Sequence, residues 1–153
     1  MLYDSLLREA EHHGVYIYEK PMTPTVKGLY ADNIIWINRF IPTMAEKTCI
    51  LAEELGHHYT SVGNIIDPAD IRNRKQELRA RDWAYTRLVP LSKIVQAYHA
   101  GVTDRYELVE YLGVSEQFLQ AAVDRYREKY GTYTIVDGHI VYFDPLAVAE
   151  FFG

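Results

Sequence analysis

The stretch Thr43-Met44-Ala45-Glu46-Lys47-Thr48-Cys49-Ile50-Leu51-Ala52-Glu53-Glu54-Leu55-Gly56-His57-His58 decides how the rest of the chain is read. Thr43 followed by Glu46 has capping-box spacing, so a helix starts here and should run to about Ser61. Met44, Thr48, Leu51, Leu55 and Val62 fall on one side of it, while Ile50, Glu53, Glu54 and His57 occupy much of the other. An apolar residue among the polar ones implies burial on both sides.

Upstream, Leu2, Leu6, Leu7 and Ala10 recur at helical spacing over residues 2–13, and Gly14 ends the run as a C-cap glycine does. Val15 to Tyr18, Lys27 to Tyr30 and Ile34 to Ile37 are β-rich runs, the last two joined at Asp32-Asn33, and Pro42 closes this small sheet. Downstream, a loop from Gly63 to Pro68 leads to a charged helix from Ala69 to about Leu88, ended by Pro90. Further helices follow over Ser92 to Ala100, Asp104 to Tyr111 and Glu116 to Tyr130, the last entered through the turn Leu112-Gly113-Val114-Ser115. A hairpin from Tyr133 to Phe143 turns at Asp137-Gly138.

A chain of 153 residues can bury a respectable core without staples. Its one cysteine, Cys49, excludes an internal disulfide and a four-cysteine zinc site, and reads as a buried structural thiol in a reducing compartment. The first ten residues lack the basic and apolar regions of a signal peptide, and no apolar run reaches the ~18 residues of a membrane span, so a cytoplasmic protein is expected. A net charge of -5 and a pI near 5.6 argue against nucleic-acid binding through a broad basic surface.

Zinc peptidases of the H-E-x-x-H class set two ligands one helical turn apart, so that both address one ion while the intervening glutamate holds the attacking water. Glu53, Glu54 and His57 reproduce that spacing with a carboxylate in the first ligand position, and a carboxylate binds Zn²⁺ at much the same distance as imidazole. A third protein ligand should come from another element, with the fourth position left to water, and Glu77 on the next helix is the candidate. A second register, Glu54 with His58, leaves Leu55 where a base is needed, and His58 reads as a hydrogen-bonded core histidine. His12, His13, His99 and His139 fall in separate segments and read as surface or turn residues. On spacing alone, Glu53 and Glu54 could equally form a solvated face, and Glu77 a surface ion pair among Arg72, Arg74, Lys75, Arg79 and Arg81.

Leu51-Ala52-Glu53-Glu54-Leu55-Gly56-His57-His58 resembles the H-E-L-G-H helix of the ImmA/IrrE family of zinc metallopeptidases. The next helix approximately follows that family's pattern E-x-x-A-x-x-F-A-x-x-L-x-x-P, which it resembles through Glu77, Ala80, Trp83, Ala84, Val89 and Pro90, with Trp83 for the usual phenylalanine and Arg81 for a frequent asparagine. The likeness covers residues 2–91 in the order of elements and the remainder more loosely. It implies an α+β fold: a zincin-like core over residues 1–91, then a helix-turn-helix-like lobe with a terminal hairpin over 92–153, packed as part of the same unit. It further implies one Zn²⁺, with Glu54 as general base, His57 and Glu77 as ligands, and Glu53 at the remaining ligand position. The resemblance points to a cytoplasmic endopeptidase of phages or mobile elements that cleaves a helix-turn-helix repressor.

Two other readings stay open at this point. Glu53 in place of a histidine suits an inactive relative that binds a repressor or other regulator without cutting it. The run from Leu112 to Leu119 suits a DNA-binding regulator, although Glu116, Gln117, Gln120, Asp124 and Arg125 make a mixed face rather than the basic one phosphate contacts favour.

Overall fold

The computed structural model describes residues 2–60 and 71–151, which form an α+β chain of six helices and six strands. The expected end of the motif helix at Ser61, Val62 on its stripe, the loop from Gly63 to Pro68 and a helix start at Ala69 lie outside the described residues. The chain divides into two compact units, Met1–Ala84 and Tyr85–Gly153.

In the first unit, helix α1 (Leu2–His12) buries Tyr3, Leu6 and Ala10, and the chain turns out of it at Gly14, whose φ of 76° suits glycine. Strands β1 (Tyr16–Lys20), β2 (Gly28–Ala31) and β3 (Ile34–Asn38) form one sheet in the order β1-β3-β2. The β2–β3 hairpin turns at Asp32-Asn33, both with positive φ, as a two-residue hairpin turn demands. β1 lies parallel to β3, in register from Tyr16↔Ile34 to Lys20↔Asn38. Alternation along the central strand sends Ile35 and Ile37 into the core, both fully buried.

Asn38, also buried, ties down the connection that carries the chain from β1 across to β2. Its amide donates to the carbonyls of Val26 at 2.8 Å and Thr23 at 3.2 Å, and its Oδ1 accepts from the N–H groups of Phe40 at 3.0 Å and Met22 at 3.3 Å.

Helix α2 (Met44–Thr60) begins as its sequence specifies, with the Thr43 hydroxyl accepting from Glu46 N–H at 3.1 Å. Thr48, Leu51 and Leu55 are buried on the expected stripe, joined by Cys49, Ala52 and Gly56, whereas Met44 in the first turn is 46% exposed. Helix α3 (Ile71–Leu88) stops two residues before Pro90, which has no N–H to continue it.

The second unit holds α4 (Leu91–His99), α5 (Arg105–Leu112) and α6 (Glu116–Tyr130). Asp104 caps α5 by accepting from Glu107 N–H at 2.7 Å, and Ser115 caps α6 by accepting from Phe118 N–H at 3.1 Å. Gly113 makes the turn between them with φ 74°. Strands β4 (Tyr133–Val136), β5 (His139–Phe143) and β6 (Leu146–Glu150) form an antiparallel sheet in that order, with Asp137-Gly138 as the first turn. β6 extends the expected hairpin by a third strand, paired from Phe143↔Leu146. Leu112, Leu119, Ala122 and Val141 centre this core, and the Tyr126 hydroxyl donates to the Val89 carbonyl at 2.8 Å. No described helix is long and apolar enough to cross a membrane.

Candidate metal centre on α2 and α3

Gly56 sets the geometry. A β-carbon at this position would fall 2.9 Å from the carbonyl carbon of Ala80 and 3.1 Å from its α-carbon, and closer still to its oxygen. Only a residue without a side chain lets the two helix backbones approach this closely. Next to that crossing, His57 Nε2 lies 3.2 Å from Glu77 Oε2, so two residues twenty positions apart in sequence share one contact. Further along, the rings of Tyr59 and Trp83 pack at 5.0 Å. Trp83, the departure from phenylalanine noted in the sequence, therefore has a local aromatic partner.

Glu53 and Glu54 precede His57 by one turn and slightly less, and both are half-buried. Burial pushes the Glu54 carboxyl up to about 7, with the negative charges of Glu53 and then Glu77 adding to the effect. Glu53 is raised first by burial and further by Glu77, while Arg81 and Lys27 pull it back down. Arg81 also stands 3.7 Å from the second Glu77 oxygen. Burial first, and neighbouring negative charge second, thus disfavour ionisation of Glu53 and Glu54, with Arg81 and Lys27 partly offsetting this at Glu53.

Edge strand β2 forms a wall beside Glu54. At Gly28 a β-carbon would meet Ile50 Cγ2 at 2.8 Å and Glu54 Cγ at 3.3 Å, so the strand's backbone lies directly against this side of α2. From the same strand, the Tyr30 hydroxyl bonds His58 Nδ1 at 2.9 Å. Burial lowers the His58 pKa, and the nearby His13 lowers it further. His58 is accordingly a hydrogen-bonded histidine, engaged with Tyr30.

Gly28, Tyr30 and Arg81 were not among the residues assigned to the site from sequence. Gly28 did leave a signal, because a glycine inside a β-rich run often marks close approach of another backbone or side chain. Tyr30 left none, since its partner lies 28 residues away.

Among the described residues, no three histidine, cysteine, aspartate or glutamate side chains are gathered closely enough to hold a metal ion as they stand. Of the proposed donors, His57 and Glu77 touch, and Glu53 faces Glu77 electrostatically. The donor chemistry nonetheless fits zinc. Two ligands at about 2.0–2.1 Å on a tetrahedral ion stand roughly 3.3 Å apart, close to the 3.2 Å between His57 and Glu77. A dication would also offset the burial and neighbouring negative charge that raise Glu53 and Glu54. A separate cavity of about 530 Å³ belongs to the second unit, lined by Ile94, Tyr98, Leu108 and Val148, and includes none of these residues.

The family profile of the IrrE N-terminal-like domain, a peptidase family, matches residues 10–124. No curated protein and no solved structure matches the chain.

Proposed function

The chain belongs to the IrrE N-terminal-like peptidase family, and on that premise we propose that it is a zinc-dependent endopeptidase with a zincin-like core, acting in the cytoplasm on a helix-turn-helix repressor encoded with it on a phage or mobile element. The observation that carries the reading is the His57–Glu77 contact with Glu54 beside it.

Glu53, His57 and Glu77 would hold the ion, which when bound supplies Lewis acidity that lowers the pKa of a water and polarises a peptide carbonyl. The remaining work falls to the chain's own residues. Burial raises the proton affinity of the Glu54 carboxyl, which suits it to take a proton from the attacking water and return it to the leaving amine. Edge strand β2, bare of side chain at Gly28, offers backbone groups along the flank of Glu54 where an extended peptide can add as a further strand. His57 and Glu77 hold each other in place across the helix crossing.

One observation favours a second reading, a relative that binds the repressor without cleaving it. Arg81 places a positive charge beside Glu77 and Glu53, where it competes with a metal ion. DNA binding through the second unit has less support. Arg105 is engaged with Glu116 and Gln120, and Arg125 with Glu128, so these guanidiniums are balanced by acceptors of the protein itself.

Glu54→Gln separates the first two readings: cleavage of the repressor stops while fold and metal content stay intact if Glu54 is the base. Unchanged cleavage would overturn the assignment.

A further inference from the structure

We propose that His99 and His139 form a metal site of their own on the second unit, an imidazole pair that takes a divalent ion of square or octahedral preference such as Cu²⁺ or Ni²⁺. Forty residues separate them in sequence, yet their Nε2 atoms stand 2.9 Å apart. His99 is the last residue of α4 and His139 the first of β5.

The turn prepares the His139 ring. Asp137 and Gly138 both adopt positive φ, and the Asp137 carbonyl comes back to 2.8 Å from His139 Nδ1. A carbonyl oxygen can only accept, so Nδ1 carries the proton and the Nε2 lone pair of the neutral ring faces His99. This is the outer hydrogen bond that metal-bound histidines characteristically make. Without an ion, His99 Nε2–H donates into that lone pair. With one, the His99 proton moves to its own Nδ1, and both lone pairs address the ion with no net proton released.

The spacing selects the geometry. Two nitrogens at about 2.0–2.1 Å and 90° on one ion are about 2.9 Å apart, against roughly 3.3 Å at the tetrahedral angle. The observed 2.9 Å matches the right-angle spacing, and a small rotation of the two rings aims both lone pairs at one ion. Tyr98 packs edge-on against both rings, at 5.3 and 6.2 Å, and the pair is exposed, leaving the other coordination positions to water.

The test is a Cu²⁺ titration of the full chain at neutral pH, read by electron paramagnetic resonance for nitrogen ligation and by thermal unfolding. With the α2–α3 centre removed by His57→Ala, the chain should bind one nitrogen-ligated equivalent that raises the unfolding temperature, and the pair variants carry the same His57→Ala change. His99→Ala, His139→Ala and the double variant should each lose that same equivalent and the thermal shift, because one ring alone does not chelate. The proposal is overturned if either single variant keeps the equivalent, or if the two losses add as independent sites do.

Discussion

Gly56 on α2 sits against the backbone of Ala80 on α3, with 2.9 Å between the Ala80 carbonyl carbon and the place a Gly56 β-carbon would take. Gly56→Ala must therefore push the helices apart, and overpacking of this kind costs about 1–3 kcal/mol. The same displacement separates His57 from Glu77. Urea unfolding should show the stability loss, and zinc titration of the folded variant should show weaker binding than the native chain.

Glu54 gives the metal-free protein a characteristic pH response. Its carboxyl titrates at about 7 in the folded state against 4.5 ordinarily, so between those values the folded chain holds a proton that the unfolded chain has released. Stability therefore falls as pH rises from about 4.5 to 7. In the presence of a chelator, urea midpoints should decline across this window, and Glu54→Gln should flatten the decline.

Arg81 is, with Lys27, a positive charge that balances the site, standing 3.7 Å from Glu77 and lowering Glu53. Arg81→Asn removes a repulsive neighbour of any bound cation. Calorimetric titration should show tighter zinc binding in this variant, and weaker binding would contradict the placement of the ion beside Glu77.

Asn38 holds the β1–β2 connection through both ends of its amide. At roughly 1 kcal/mol for each hydrogen bond lost, and more where a buried partner is left unsatisfied, Asn38→Ala should cost about 2–4 kcal/mol. Unfolding by denaturant checks this directly.

Local signals carried much of the fold. The Thr43 cap, the Asp32-Asn33 and Asp137-Gly138 turns, and the Gly113-to-Ser115 entry to α6 all depend on residues within a few positions of one another. The pairing of β1 with β3 instead of its sequence neighbour β2 is a contact between segments 18 residues apart, and the connection it requires is held by Asn38 bonds reaching 12 to 16 residues back. The third strand β6 showed only short alternation, Leu146 and Val148 against Ala147, after a proline. At the site, Glu53, Glu54 and His57 were legible because one helical turn dictates their grouping. Glu77 became legible through the helix that follows. Arg81 lies four residues beyond Glu77 on the same helix, a spacing the sequence does carry, whereas Tyr30 against His58 and the meeting of His99 with His139 arise from packing between distant segments, which spacing along the chain does not encode.

The most direct test of the α2–α3 centre is zinc content by elemental analysis, made on the His99→Ala chain so that the pair on the second unit does not contribute. One zinc per chain is predicted, lost on adding His57→Ala or Glu77→Ala while helical circular dichroism is retained. A chain that takes up no zinc at neutral pH, or one whose zinc survives both substitutions, would contradict the assignment.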